Sequence, residues 1–303
     1  MSTTTTTTTT TAPTQAPPVN RRRRLGSRWL IAGTITLFVV LLIGYLFGAA
    51  AAGGGVRQAD AALRTTLDHQ TTVGATLSTD PFKNVDLRSE HPDIPAARAA
   101  LAAVEPRLAL ARGQVRADRI RLRAAQKQLA SSILTLPQEA VLQQRRHRLQ
   151  AALTALDNAQ RALDIDLSTA AFAHPFFDAI AEIEAANDSI KRKDFAGLAT
   201  HLQAAQAGTN NAIDLAKPPA VPQQFVRLLT SINFLLTDLQ GIVTAAQAND
   251  AAGIQQYTDL AIGARNGLYE YDPQVVTNYL IQLFKPLSDG YRTNLEIAAG
   301  RRG

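Results

Sequence analysis

Residues 101–129, LAAVEPRLALARGQVRADRIRLRAAQKQL, decide the fold. Their larger apolar residues recur at intervals of seven, in a row formed by Leu101, Leu108, Val115, Leu122, Leu129 and, further on, Leu136. Much of a second row is present at Val104, Ala111 and Ala125, with interruptions at Asp118 and Ser132. Two such rows predict a long helix that packs against another helix along one seam. Pro106 lies inside the pattern and marks either the true start of this helix or a kink in it.

A matching helix follows after a short turn. Residues 131–139, SSILTLPQE, predict that turn, and Pro137 suits the first turn of the next helix. The spacing of seven then returns at Leu142, Leu149, Leu156 and Leu163, with Ala152 and Ala159 in the second row. The sequence therefore predicts an antiparallel coiled-coil hairpin over residues 96–170, paired either within one chain or between two.

Residues 171–303 carry an internal repeat with a spacing of 56 residues. KDFAGLATHLQAA at 193–205 aligns with NDAAGIQQYTDLA at 249–261, so that Asp194 corresponds to Asp250. Both aspartates are predicted N-caps, each opening a helix after a tight turn. Two helical hairpins of this kind predict an up-and-down helical bundle.

The predicted fold class is therefore all-α, but its two parts differ in aromatic content. Phe82 is the only aromatic residue between positions 56 and 171, whereas twelve aromatic residues lie between positions 172 and 291. Aromatic side chains fill thick cores, and seams of Leu and Ala suit thin pairs of helices. We expect a slender proximal part and a globular distal part, with Pro286 ending or bending the last helix.

An apolar stretch near the N-terminus predicts a membrane anchor. In RRRRLGSRWLIAGTITLFVVLLIGYLFGAAAAGGG, residues 21–55, nineteen consecutive positions from Trp29 onward lack a charge, a proline or an amide. A helix of this length spans roughly 30 Å, the thickness of the hydrocarbon layer, and Trp29 and Tyr45 suit its two interfaces. We expect a single transmembrane helix over residues 29–52, preceded by a disordered, Thr/Pro-rich cytoplasmic tail of residues 1–28.

Basic residues orient this helix. Five precede it, namely Arg21, Arg22, Arg23, Arg24 and Arg28, and no acidic residue occurs before Asp60. Positive flanks stay in the cytoplasm, so the N-terminus is predicted inside and the rest of the chain outside the cell membrane. A retained signal-anchor is favoured over cleavage after the Ala-rich end, because signal peptides have shorter apolar cores. Residues 53–95 would form a juxtamembrane helix, which either continues from the membrane or has a flexible break at Gly53, Gly54 and Gly55, and a proline-containing loop. No second apolar run is identified.

Charge is distributed unevenly along the predicted exterior part. Residues 98–148 carry eleven basic and three acidic residues, whereas residues 149–303 carry eleven basic and sixteen acidic residues. A basic stripe follows one side of the first predicted helix at Arg112, Arg116, Arg119, Arg123 and Lys127. The stripe is either a site for anionic lipid, wall polymer or an acidic partner, or a solvated flank that the acidic distal bundle or a second copy of the chain partly neutralises. The predicted location and the lack of interleaved aromatic residues argue against nucleic acid.

The sequence contains no recognisable catalytic, cofactor-binding or metal-binding motif. It has no cysteine, and its five histidines are scattered without the spacing of metal ligands. Asp164 and Asp166 lie two apart on a predicted helix and would face different sides, so they do not form an acid–base pair. We therefore expect no enzymatic activity and neither a cofactor nor a metal site.

Two functions agree with these patterns. The first is a membrane-anchored extracytoplasmic scaffold whose helix faces pair with another protein or with a second copy. The alternative is an extracytoplasmic ligand-sensing bundle that signals through a separate partner, because bundles bind small molecules between their helices.

Overall fold

The computed structural model describes residues 54–79, 83, 85, 93–129, 139–269 and 271–302. These residues form seven helices and no strand, which confirms the prediction of an all-α protein. The helices are α1 (54–78), α2 (Ile94–Gln128), α3 (Glu139–Arg192), α4 (Phe195–Leu215), α5 (Gln223–Gln247), α6 (Ala251–Tyr269) and α7 (Pro273–Ala298).

Several predicted features lie outside the described residues. They are the cytoplasmic tail at 1–28, the transmembrane helix at 29–52 and most of the turn at 131–139. The residues predicted to orient the membrane helix belong to the same undescribed part, namely Arg21, Arg22, Arg23, Arg24, Arg28, Trp29 and Tyr45.

Helix α2 begins at Ile94 and continues through Pro106, so the alternative of a start at Pro106 is wrong. Asp93 caps the helix by accepting a hydrogen bond from the Ala96 N–H at 2.9 Å. Helices α2 and α3 pack against each other, and the described members of both predicted apolar rows are buried. The buried residues are Leu101, Val104, Leu108, Ala111, Val115, Leu122, Ala125 and Leu129 on α2, and Leu142, Leu149, Ala152, Leu156, Ala159 and Leu163 on α3.

This pair of helices does not stand alone, so the expectation of a slender proximal part is wrong. Helix α1 contributes Leu63 and Val73 to the same core, and α7 contributes Tyr291 and Ala298. Helix α7 reaches this core because it continues through Pro286 to Ala298 and packs along α3. The proximal part is therefore a core shared by four helices, one of which comes from the far end of the chain.

Two glycines let the outer helices approach closely. Gly55 lies within α1, where a Cβ atom would lie 3.0 Å from the Gln128 carbonyl oxygen at the end of α2. Gly290 of α7 faces α3, where a Cβ atom would lie 2.6 Å from the side-chain nitrogen of Asn158. The predicted flexible break is wrong for Gly54 and Gly55, since both belong to a helix and Gly55 is buried against α2.

The remaining helices extend from the C-terminal half of α3. Helix α3 runs without a break across residues 170 and 171, the predicted domain boundary, and then packs against α4. A second core lies between α3, α4 and α5, with Ala186, Leu198, Leu202 and Leu236 among its buried residues. Helix α6 packs against α5.

The turns after α3 and α5 have the same geometry. Lys193 and Asn249 have left-handed φ values of 59° and 54°, and the next N–H in each case donates to a carbonyl five residues back. Asp194 Oδ1 then accepts from Gly197 N–H at 2.9 Å, and Asp250 Oδ1 accepts from Gly253 N–H at 3.0 Å. The prediction of two N-capping aspartates is confirmed.

Helix α5 has a composition that the sequence analysis did not single out. Among the helices of the described ranges, α5 is the one that is long and apolar enough to cross a membrane, by length and composition only, with a mean hydropathy of 1.3 over its most apolar window. The prediction that the chain has no second apolar run is therefore wrong. Two charged residues, Arg227 and Asp238, interrupt its apolar sequence, and its apolar residues Leu236 and Val243 are buried in the core with α3 and α4.

Candidate functional site

A cavity of about 1180 Å³ lies between α1, α3 and α7, and α2 contributes to its wall. This volume is that of a site for a small organic molecule or a single lipid chain. Helix α3 lines it with alanines, whose short side chains leave space that larger residues would fill. Apolar residues form most of the wall, among them Leu77, Val104, Leu108, Ala162, Ala170 and Phe284.

Asp166 of α3 is the unusual residue of this wall. Its carboxylate has no hydrogen bond or ion pair with another residue in the described part of the chain, whereas Glu296, also in the lining, pairs with Arg302 at 2.8 Å. Burial raises the pKa of Asp166 to about 6, because the carboxylate loses water and gains no protein donor in return. The cavity therefore contains one unpaired acidic group.

Asp164, two residues earlier, has a different environment. Its Oδ1 pairs with Arg112 Nε of α2 at 2.7 Å, and it also accepts from the Gln160 side-chain amide at 3.1 Å. As the spacing predicted, the two carboxylates face different neighbours, one an arginine and the other the cavity.

Several neutral polar groups of the wall form hydrogen bonds within the protein. The Tyr291 hydroxyl donates to Gln70 Oε1, and Gln70 Nε2 donates to the Thr66 carbonyl at 3.0 Å. Burial raises the pKa of Tyr291, so its phenol remains a neutral donor. The Thr169 hydroxyl donates to the Ile165 carbonyl at 3.0 Å. These groups shape the cavity, and Asp166 is left to interact with whatever enters it.

Basic residues at the cavity lie on its rim. Lys285 Nζ is 3.3 Å and Arg292 is 3.6 Å from opposite oxygens of Asp289, and all three side chains are at least half exposed. Arg301, which follows α7, is also exposed. Water and salt screen these charges, so they act on a buried group less strongly than a direct partner does.

The predicted basic stripe divides into two sets. Arg112 and Arg119 pair with Asp164 and Asp157 of α3, at 2.7 and 2.5 Å. The other three residues, Arg116, Arg123 and Lys127, are exposed and form no ion pair with any residue the structure describes. Two members of the stripe thus serve the α2–α3 interface, and three face solvent.

The paired arginines belong to a ladder of polar contacts along one flank of α2 and α3. Before Arg112 along α2, Arg98 pairs with Asp178. After Arg119 along the same helix, Gln126 Nε2 donates to Gln150 Oε1 at 3.2 Å. The pairs 112–164, 119–157 and 126–150 follow one another: the residue number rises by seven along α2 and falls by seven along α3 from each pair to the next. Such flanking pairs set the register of antiparallel helices. The same spacing of seven in the sequence could have identified them.

Three histidines pair with carboxylates from other helices or turns of the chain. His69 lies 2.9 Å from Asp118, His174 lies 2.8 Å from Glu105, and His201 lies 2.8 Å from Glu182. Asp118 interrupts the second apolar row, and its side chain is only 1% exposed because His69 and Arg121 hold it. Within the described ranges no group of three His, Asp or Glu side chains is arranged to hold a metal ion.

Comparisons of the chain with protein-family models, with curated proteins and with solved structures each found no match.

The cavity could not be predicted from the sequence. It depends on α1, α3 and α7, which are far apart in the chain, and an alanine-rich helix surface alone does not show whether a neighbour fills the space beside it.

Proposed function

We propose that this protein is a membrane-anchored, non-enzymatic helical bundle that binds a small, largely apolar molecule between α1, α3 and α7. The observation that carries the proposal is the cavity of about 1180 Å³ with a mainly apolar wall. Bundles commonly place ligand sites between their helices, and this mainly apolar space, which opens to solvent, is large enough for such a ligand. Binding would report to a separate partner, since the described helices include no recognisable output domain.

The anchor and its orientation belong to the same proposal. The apolar residues 29–52 act as a signal-anchor helix, and the arginines at 21–24 and 28 keep the N-terminus in the cytoplasm. The helical bundle is then extracytoplasmic, with α5 as one of its packed helices. A protease that removes a C-terminal tag from intact cells, or from spheroplasts where an outer membrane is present, would support this orientation. Protection of the tag until the membrane is permeabilised would contradict it.

Hydrogen exchange of the full chain tests the cavity directly. In phosphatidylcholine nanodiscs, 1-dodecanol is expected to slow exchange in residues 67–78 of α1 and 281–295 of α7 and to leave α6 unchanged. Ala170→Trp, which fills the cavity from α3, should abolish the protection, whereas Ala109→Trp on the exposed side of α2 should not. Ser288→Trp fills the cavity from α7 and is the second variant if the first does not fold. No protection in the wild-type chain, or equal protection in the filled variants, would contradict ligand binding.

A scaffold that acts through helix faces is the second candidate, and an exposed edge of the bundle favours it. Helix α6 packs against α5 and leaves Leu260, Ile262 and Tyr269 exposed, at 49, 47 and 76%. We infer that the C-terminal half of α3 with α4, and α5 with α6, are two copies of one hairpin. Gln206 of α4 donates to Thr237 of α5 at 2.7 Å, and the position 56 residues after Gln206 is Ile262. The exposed face of α6 thus corresponds to the face of α4 that the next hairpin covers.

The scaffold predicts association through this edge. Ile262→Glu should reduce self-association or partner capture, measured by light scattering of the full chain in micelles and by crosslinking in cells. Gln206→Glu, at the corresponding covered position, should leave association unchanged. A chain that stays monomeric and uncrosslinked at all concentrations would contradict this candidate. The coiled-coil character of α2 and α3, and binding of anionic lipid or wall polymer by the exposed part of the basic stripe, belong to the same candidate.

A further inference from the structure

The charge inside the cavity narrows the kind of ligand that fits. Asp166 lines the wall from α3, and α1 and α2 contribute no titratable residue to the lining. The titratable residues that face it from α7 and beyond are Lys285, Tyr291, Arg292, Glu296 and Arg301. Lys285 and Arg292 both pair with Asp289, and Glu296 pairs with Arg302. The Tyr291 hydroxyl donates to Gln70, and Arg301 is exposed. Asp166 is left as the partly buried charged residue of the wall that has no partner among the described residues.

An unpaired carboxylate on an apolar wall favours a ligand that carries a donor or a positive charge. Burial without a partner disfavours the ionised carboxylate, and this cost is visible in the raised pKa of Asp166. An ammonium group placed beside it restores a charge-assisted hydrogen bond in surroundings of low polarity, where such bonds are strong. An anionic headgroup in the same place would instead add repulsion.

The rest of the wall favours an extended apolar body. Its apolar residues come from all four helices, and each methylene group that leaves water for such a surface tightens binding by about fourfold. We propose that the cavity binds a cationic amphiphile, a molecule with an extended apolar body and one ammonium group that pairs with the Asp166 carboxylate. The inference rests on the proposed function, because it assigns a chemical class to the ligand of the same cavity.

Binding of three twelve-carbon probes to the full chain tests the proposal. The sequence has no cysteine, so Thr71→Cys gives one attachment point for an environment-sensitive fluorophore at the cavity. Dodecylamine, 1-dodecanol and dodecanoate are titrated into labelled protein in phosphatidylcholine nanodiscs at pH 7.5, with empty nanodiscs as the correction for partitioning into lipid. Dodecylamine is expected to bind at least about tenfold more tightly than 1-dodecanol, and dodecanoate more weakly than both.

Two variants separate Asp166 from its neighbours. Asp166→Asn should bring the affinities for dodecylamine and 1-dodecanol close together while leaving that for 1-dodecanol nearly unchanged. Asp164→Asn, whose side chain faces Arg112, should keep the wild-type ratio. The wild-type chain provides a test without mutation, since the preference for dodecylamine should fall as the pH is lowered from 7.5 to 5 and Asp166 becomes protonated.

The outcomes distinguish this inference from the proposed function. If 1-dodecanol binds and Ala170→Trp blocks it, but dodecylamine has no advantage, the ammonium preference is overturned and the apolar cavity stands. Tighter binding of dodecanoate would assign the headgroup to the cations at the rim and also overturn the inference. If no probe binds the wild-type chain, both the inference and the proposed function are overturned.

Discussion

The Nε of Arg148 donates a hydrogen bond to the main-chain carbonyl of Ala298 at 2.7 Å. Arg148 lies near the start of α3, and Ala298 is the last residue of α7. The last carbonyls of a helix have no partner within it, and a cation beside them also complements the negative end of the helix dipole. This contact therefore fixes the C-terminal end of α7 against the four-helix core.

Replacement of Arg148 should loosen the end of α7. Arg148→Ala is expected to lower the free energy of unfolding by about 1–2 kcal/mol, because it leaves a carbonyl without its charged donor. Amide exchange should increase mainly over residues 291–300. Arg227→Ala, at an exposed position on α5, is the matched control and should change neither quantity. An increase in exchange spread evenly over all helices would contradict the local role.

The apolar rows on α2 allow a comparison between two leucines of one helix. Leu122 is fully buried, whereas Leu110 is 58% exposed. Leu122→Ala is expected to cost about 2–5 kcal/mol, since it removes buried surface and leaves a cavity, and Leu110→Ala should stay within about 0.5 kcal/mol. Thermal unfolding of the full chain in maltoside micelles, followed by circular dichroism at 222 nm, measures both. Equal effects would mean that the rows do not form the core.

Asp166 should make stability depend on pH. Its pKa rises from 3.8 to about 6 on folding, so the folded state binds more protons than the unfolded state between these values. The free energy of unfolding therefore falls as the pH rises through this range. Asp166 costs the folded state little at pH 4 and below, and the cost grows to at most about 3 kcal/mol above pH 6.

The variant Asp166→Asn tests this sign. Without added ligand it is expected to unfold at a temperature about 5 °C higher than the wild-type chain at pH 7.5, and at the same temperature at pH 4. Asp164→Asn has no such benefit, because it loses the partner of Arg112. A variant Asp166→Asn that is less stable at pH 7.5 would show that the carboxylate has a stabilising partner.

The two sets within the basic stripe should respond differently to removal of charge. If the stripe binds anionic surfaces, the triple change of Arg116, Arg123 and Lys127 to glutamine should lower cosedimentation with phosphatidylglycerol vesicles, because these side chains are free to face them. The double change of Arg112 and Arg119 to glutamine should affect the vesicles less. It removes two partly exposed ion pairs, each worth about 0–1 kcal/mol of stability. Equal losses of vesicle binding would contradict the division.

Helix content, the buried rows and the two aspartate caps were predictable because each depends on neighbours close in the chain. Leu122 and Leu156 are buried at the positions that the spacing of seven assigns to them. Asp194 and Asp250 cap helices because the N–H groups they bind lie only three residues away. The spacing of residues that are close in the chain is therefore enough to predict the helices, their buried rows and their capping residues.

The four-helix core, the cavity and Asp166 were not predictable in the same way. They depend on contacts such as that of Tyr291 with Gln70, which joins residues 221 positions apart. The spacing of Asp164 and Asp166 predicts that they lie on different faces of one helix. It does not predict that Asp164 contacts Arg112 or that Asp166 lines a cavity. Asp118 looked like a defect in the apolar row, and His69, a partner from α1, explains its burial.

The position of α7 also dictates the order in which the protein acquires its structure. Helices α1, α2 and α3 are made before α7, so their shared core lacks Tyr291 and Ala298 until α7 has emerged from the ribosome. Contacts between such distant residues slow folding, and the apolar groove left open meanwhile is a surface on which immature chains stick to one another. Truncation within α7 should therefore yield aggregates or proteolysis, rather than a shorter protein with six intact helices.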